Sequence, residues 1–273
     1  YLDFILERIS RRQFVPGPVD GLSRDWDETD VGILRAIYYG MLAEVDAQFG
    51  RMVDYLREVG RYDDTIIVFG SDHGEMLGDH YMFGKHGYFD QSYSIPLIVR
   101  APDLDAAQGD IVRCFTENVD VTPTLLDLIG LEPPHQCDGA SLRPFLEGRE
   151  PSNWRREAHW EFDFREVVSG EPEDVFGIAL DDCQLTVLRG ERFKYVHFAA
   201  QAPLLFDLER DPGEFENLAG DPAYRDVMLD CAQRMLSWRM RHADRMLTAT
   251  HLTADGPYVR PVAERAASEQ ASM

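Results

Sequence analysis

A run of β-branched and aromatic residues, Thr65-Ile66-Ile67-Val68-Phe69, leads without a break into Gly70-Ser71-Asp72-His73-Gly74-Glu75, and this junction constrains the chain more than any other feature. The apolar run is continuous rather than alternating, which predicts a strand buried on both faces of a mostly parallel sheet. Polar groups at the C-terminal end of such a strand stand where α/β sheets gather ligands. Upstream, Val31, Leu34, Ile37, Tyr38, Met41, Leu42, Val45, Phe49, Val53 and Leu56 recur at three- and four-residue steps. That spacing predicts one long amphipathic helix from Asp27 to Gly60.

Ile95-Pro96-Leu97-Ile98-Val99 reads as a second strand, with Pro96 tolerated only near its beginning or at an edge. Thr122-Pro123 reads as an N-cap followed by proline at the first helical position, and the helix from Thr124 to Ile129 stops at Gly130. Past about residue 150 the pattern changes. Glu157 to Phe164, Cys183 to Leu188 and Phe193 to Phe198 are strand-like, the last two joined by the short loop Arg189-Gly190-Glu191-Arg192. Leu204 to Leu208 adds a strand before the Asp211-Pro212-Gly213 turn, and a helical pattern covers Asp221 to Leu247. The expected organisation is an α/β unit over 1–150, a smaller antiparallel-sheet subdomain with a C-terminal helix over 151–250, and an irregular tail over 251–273.

With 273 residues, 44% of them hydrophobic, the chain can bury a sizeable core. Its 49 acidic and 27 basic residues give a net charge of −22, which opposes binding to nucleic acid, anionic membrane or extended polyanions. A small anion can still be drawn in by a local metal or lysine, because bulk charge is screened beyond roughly 8–10 Å. No apolar run approaches bilayer length, and Tyr1 to Arg12 is a charged amphipathic stretch without the centre of a signal peptide. The four cysteines are widely spaced and form no C-x-x-C pair, which suits a reducing compartment and a cytoplasmic protein. Because the chain begins at Tyr1 rather than Met, a periplasmic location stays open.

Asp72 and His73 are neighbours at a strand end, where a turning backbone lets both converge on one ion; the alternative is an ordinary surface Asp-His turn. An oxygen donor beside an imidazole suits Mn²⁺, Zn²⁺ or Fe²⁺ better than Ca²⁺. Read together, Ser71-Asp72-His73-Gly74-Glu75-Met76-Leu77-Gly78-Asp79-His80, Lys85 and Ser94-Ile95-Pro96-Leu97-Ile98-Val99 resemble the metal-site block of sulfatases in the alkaline phosphatase superfamily. Val119 to Asp127, Asp138 to Leu142, and Leu205-Phe206-Asp207-Leu208 with Asp211 to Glu214 and Glu216 to Leu218 are similar to later landmarks of that family. Trp160 to Arg165 and Arg192 to Phe198 look most like the phosphonate monoester hydrolase branch.

The resemblance implies an alkaline-phosphatase-like mixed sheet flanked by helices. It makes Asp72 and His73 ligands of one divalent ion, Mn²⁺ or Zn²⁺ first and Ca²⁺ as an alternative, and Lys85 a contact to the substrate's sulfuryl or phosphoryl oxygens. His80 and His86 are secondary candidates for protonating a leaving alkoxide. His80 also fits a loop-orienting role, which is preferred, and His159 and His197 fall on strands and read as structural. Glu75 and Asp79 could orient His73 or be surface charges. The family's nucleophile is a formylglycine made in C/S-x-P-x-R, and none of the four cysteines is followed by that pattern. A third ligand, an aspartate from the family's first strand, also lacks a counterpart. Both belong to the family's N-terminal half, so the expectation is a C-terminal portion of an ester hydrolase, inactive alone. Its partners would be a small anionic ester and further copies of itself, with no nucleic acid or membrane. A phosphoethanolamine-transferase-like enzyme and an inactive metal-binding or assembly module are the rivals.

Overall fold

The structure, a computed structural model, describes residues 21–22, 26–85, 87–104, 106–134, 136–165, 174, 176–243, 250–254 and 256–259. Strand β1 (Gly21–Leu22) precedes helix α1 (Glu28–Glu58). Asp27 caps α1 by accepting from the Thr29 and Asp30 amides at 2.8 and 3.0 Å, and Gly60, at φ +69°, ends the turn after it. The long helix is as expected, but none of its residues is buried, and Ile33, Ile37, Met41, Leu42, Val45 and Met52 are exposed. Among the described residues, Phe49 meets Phe69 at 5.0 Å between centroids, Arg35 Nε donates to the Leu77 carbonyl at 2.7 Å, and Arg35 pairs with Asp79 at 3.4 Å.

Strand β2 (Ile67–Gly70) carries the Asp-His turn at its end. The chain then forms β3 (Met82–Phe83), which pairs with β1, the short helix α2 (Asp90–Tyr93) and strand β4 (Leu97–Arg100). Pro96 sits just before β4, as its missing amide requires. β2 and β4 pair antiparallel, Ile67 opposite Arg100 and Gly70 opposite Leu97. This differs from the mostly parallel, doubly buried strand read from the sequence: the turn and α2 reverse the chain so that β4 runs back along β2, and Ile98 is 60% exposed.

Helix α3 (Val121–Leu128) begins before the expected cap. A 3-10 turn, Asn118–Asp120, runs straight into it, so Thr122 is already helical and Pro123 takes the third position, where an amide has no helical partner to lose. The landmark residues here interlock. Buried Asp120 accepts from the Ala140 amide at 2.8 Å and pairs with Arg155, while Thr124 Oγ1 accepts from the Leu142 amide at 2.8 Å and Ser141 Oγ donates to Asp127 at 2.6 Å. A short helix, α4 (Arg143–Leu146), follows.

The second region is a four-stranded antiparallel meander, β5 (Glu157–Asp163), β6 (Gln184–Gly190), β7 (Phe193–Phe198) and β8 (Leu204–Asp207), in that order. Its alternation separates two cores. Leu185, Val187, Val196, Phe198 and Phe206 face Met76, Met82, Tyr88 and Phe89 from the segment after the Asp-His turn. Leu188, Tyr195 and Leu205 face Cys231 and Met235 of helix α5 (Arg225–His242). The sheet is therefore sandwiched between the turn segment and α5. After it, β9 (Thr250–Thr253) and β10 (Gly256–Val259) pair antiparallel rather than forming the irregular tail expected, with Gly256, at φ +111°, opposite Thr253.

Candidate metal and oxyanion site

At the end of β2 the backbone turns so that Asp72 and His73 meet. His73 Nε2 lies 3.7 Å from Asp72 Oδ2. The other ring nitrogen, Nδ1, is 2.7 Å from the Gly74 carbonyl. A carbonyl only accepts, so Nδ1 is the donor in this contact, and in a neutral ring the lone pair would then lie on Nε2, on the Asp72 side. That is the tautomer a divalent ion needs, and it fits the two residues to one ion of oxygen-and-nitrogen preference. Among the described residues no group of three or more His, Cys, Asp or Glu side chains is arranged to hold a metal, so the pair is a partial site.

Several bonds hold the turn. Ser71 Oγ donates to the His73 carbonyl at 2.7 Å, and Asn118 Nδ2 donates to the Ser71 carbonyl at 2.9 Å. The Gly74 amide donates to the Ser92 carbonyl at 2.8 Å. A Cβ on Gly74 would lie 2.0 Å from the Gln91 carbonyl oxygen, so only glycine permits this approach. Asp72 itself is exposed. Partial desolvation opposes its ionisation, but backbone amides, His73 and the Lys85 charge together hold its carboxyl below the usual value.

The remaining sequence candidates fall in different places. Lys85 is exposed and reaches Asp72 through its charge. His80, at φ +50°, stacks on Phe89 at 3.8 Å and lies 4.8 Å from the Phe215 ring; burial pushes its imidazole below the ordinary value, against a bond to the Gly213 backbone and the nearby Asp79. His86 lies outside the described residues. Glu75 does not orient His73: its Oε1 accepts from the Leu77 and Gly84 amides at 3.2 and 2.6 Å, and Asp79 accepts from Gln91 at 3.0 Å. The Gly74 carbonyl performs the task instead, and no side-chain pattern could have announced it. Asn118 was likewise missed, since its contact spans 47 positions. His159 stacks on Trp238 at 4.4 Å within the second region, and His197 meets the Tyr195 hydroxyl at 3.1 Å.

Asp72 also stands in the wall of an open cleft of about 1350 Å³ that runs past Tyr93 and Asn118 to Trp160, Trp238 and Arg239. Its volume exceeds the usual few hundred to a thousand cubic ångströms of a small-molecule site.

Two family patterns match this chain: the one described as sulfatase over residues 23–131, and the one described as N-sulphoglucosamine sulphohydrolase, C-terminal, over residues 78–241. The multifunctional alkaline phosphatase superfamily protein PehA of Trinickia caryophylli is 48% identical over 243 residues, which cover 89% of this chain and 47% of that protein. A choline-sulfatase of Rhizobium meliloti is 34% identical over 201 residues, covering 72% of this chain and 35% of its own length. The crystal structure of a phosphonate monoester hydrolase of Agrobacterium radiobacter superposes with a TM-score of 0.85 at 51% identity, covering 88% of this chain and 48% of that one. A phosphonate monoester hydrolase from Silicibacter pomeroyi gives 0.84 at 40% identity, covering 94% and 50%. The chain thus spans half or less of the length of these relatives.

Proposed function

The chain belongs to the sulfatase family of the alkaline phosphatase superfamily, and from that membership we propose that it forms the metal-binding part of a hydrolase of sulfate, phosphate or phosphonate esters. One observation carries the reading: a glycine-framed turn at the end of β2 brings the Asp72 carboxylate and Nε2 of His73 to within 3.7 Å of each other. Asp72 and His73 would hold the ion, Mn²⁺ or Zn²⁺ by donor type and Ca²⁺ as an alternative. When bound, such an ion supplies positive charge at the ester's oxygens. Lys85, through its ammonium, would neutralise charge that builds on a second oxygen in the transition state, where positioned cations contribute most. The exposed carboxyl of Asp72 stays ionised well below neutrality, so it is ready to act as a ligand at physiological pH.

We assign the nucleophile, a formylglycine, to sequence outside this chain. No cysteine here has the required pattern, and Ser94-Ile95-Pro96-Leu97-Ile98, the nearest serine match, carries Ile where arginine is needed. The four cysteines are free thiols, which supports a cytoplasmic protein, and Leu229, Leu236 and Met240 exposed along one face of α5 support self-association. No helix among the described residues is long and apolar enough to cross a membrane. The test is hydrolysis of 4-nitrophenyl sulfate and of a phenylphosphonate ester, by the chain alone and joined to a nucleophile-bearing N-terminal half. Metal-dependent turnover is expected only from the joined form; robust turnover by the chain alone would contradict the assignment.

A further inference from the structure

The sequence contains two lysines, Lys85 and Lys194; every other cationic side chain at neutral pH is an arginine. Lys85 is exposed, and Lys194, on β7, is 0% exposed. Its Nζ lies 2.7 Å from Asp90 Oδ1 and 2.7 Å from each oxygen of Glu214, with the Trp160 ring centroid at 5.3 Å. Arg189, on the neighbouring strand β6, donates to Asp90 Oδ2 from Nε and Nη2, each at 3.0 Å. Asp90 is therefore held through both oxygens by cations on adjacent strands. A buried ammonium is stable only when its partners are fixed in place, so the cluster ties the first residue of α2 rigidly to the sheet.

What α2 holds in turn is the metal-site turn. The Ser92 carbonyl accepts the Gly74 amide, and the Gln91 carbonyl occupies the space beside Gly74 that a side chain would need. Gln91 Nε2 reaches Asp79, and Phe89 stacks on His80. Gly74 supplies the carbonyl that sets the tautomer and direction of His73. The line of contacts runs from Lys194 and Arg189 through Asp90 and α2 to Gly74 and His73 without a break.

We propose that Asp90, gripped by Lys194 and Arg189, is a positioning residue for the metal-site turn: it locks α2 onto the antiparallel sheet, and α2 fixes the Gly74 peptide that aims His73. This rests on the reading of Asp72 and His73 as ligands. It gives the second region, to which the proposed function assigns no ligand, a definite part in the reaction. The substitution Lys194→Met would strand the buried carboxylate of Glu214 and threaten folding, so the informative variant is Asp90→Asn. That change keeps the side chain's shape and leaves Lys194 paired with Glu214.

Hydrogen exchange on the chain itself tests the grip. In Asp90→Asn the Gly74 amide is expected to exchange about tenfold faster or more, while amides of β6 and β7 stay within about twofold of the parent. In the enzyme that carries its nucleophile, the same variant should lower kcat by about tenfold with KM within about twofold, and Asp90→Glu should recover most of the loss. Unchanged protection at Gly74, uniform acceleration at every amide, or an unchanged kcat would each overturn the proposal. A parent enzyme that hydrolyses none of these esters would defeat the functional reading instead, and the exchange result would still decide the grip.

Discussion

The β2–β4 pair and the β5–β8 meander are built from similar β-branched runs, yet they end in opposite states. In the meander, Val187, Leu188, Val196 and Leu205 are buried completely, with the turn segment on one face and α5 on the other. In the β2–β4 pair, Ile98 is exposed, Ile67, Val68 and Phe69 are half-buried, and α1 beside it buries no residue at all. A two-stranded pair is at best marginal by itself. The proposed ligands thus sit on the less buried region, while the meander, covered on one face by the segment that follows them and on the other by α5, is the more deeply buried one. Asp90 and Lys194 join the two.

This contrast can be broken by mutation. Leu188→Ala, in the covered core beneath α5, should cost about 2–5 kcal/mol in denaturant unfolding, because both transfer energy and a cavity are involved. A loss under about 1 kcal/mol would mean that the meander is not the packed unit described. Acid should act next. Burial works against ionisation of Asp90, but Lys194 and Arg189 outweigh it and hold its carboxyl below the ordinary 3.8; the bond from Arg192 does the same for Asp207. A lowered carboxyl contributes stability that is present above 3.8 and is lost as pH falls through the folded value. Glu214 works the other way, since burial and the Asp90 charge raise it above 4.5, so its share is present below that value and is lost as pH rises through its folded value. Stability of the meander, followed by its tryptophan signal, should therefore fall as pH drops below about 4, and a flat profile from pH 5 to 2 would remove the grip on Asp90 and Asp207 from the description. The smallest effect belongs to the other region: Ile37→Ser on α1 should change stability by no more than about 0.5 kcal/mol in this chain. A loss comparable with that of Leu188→Ala would show that the α1 face is covered after all.

Local signals carried the elements. The 3.6-residue spacing of α1, the capping by Asp27 and the β-branched runs of the meander are all properties of a few neighbouring residues, and each strand of the meander lies within two residues of its expected ends. The family block likewise pointed to Asp72 and His73, which meet because they are adjacent. What could not be read was pairing over distance. The antiparallel partner of β2, the Asn118 bond to Ser71 and the Asp90–Lys194 pair join positions 27 to 33, 47 and 104 residues apart, and no spacing rule reaches that far. Pro123 misled because a 3-10 turn entered the helix before it. The β9–β10 pair was overlooked because its strands lack the β-branched density used to recognise strands.

The central claim is that Asp72 and His73 are two ligands of one catalytic ion, and the measurement that meets it directly is metal content alongside turnover for Asp72→Ala and His73→Ala in the enzyme joined to its nucleophile-bearing half. Loss of a direct ligand should exceed the 10–100-fold typical of outer partners, so bound metal and turnover are expected to fall together by about 100-fold or more in both variants. Full metal content in both would contradict the ligand assignment, whatever became of the activity.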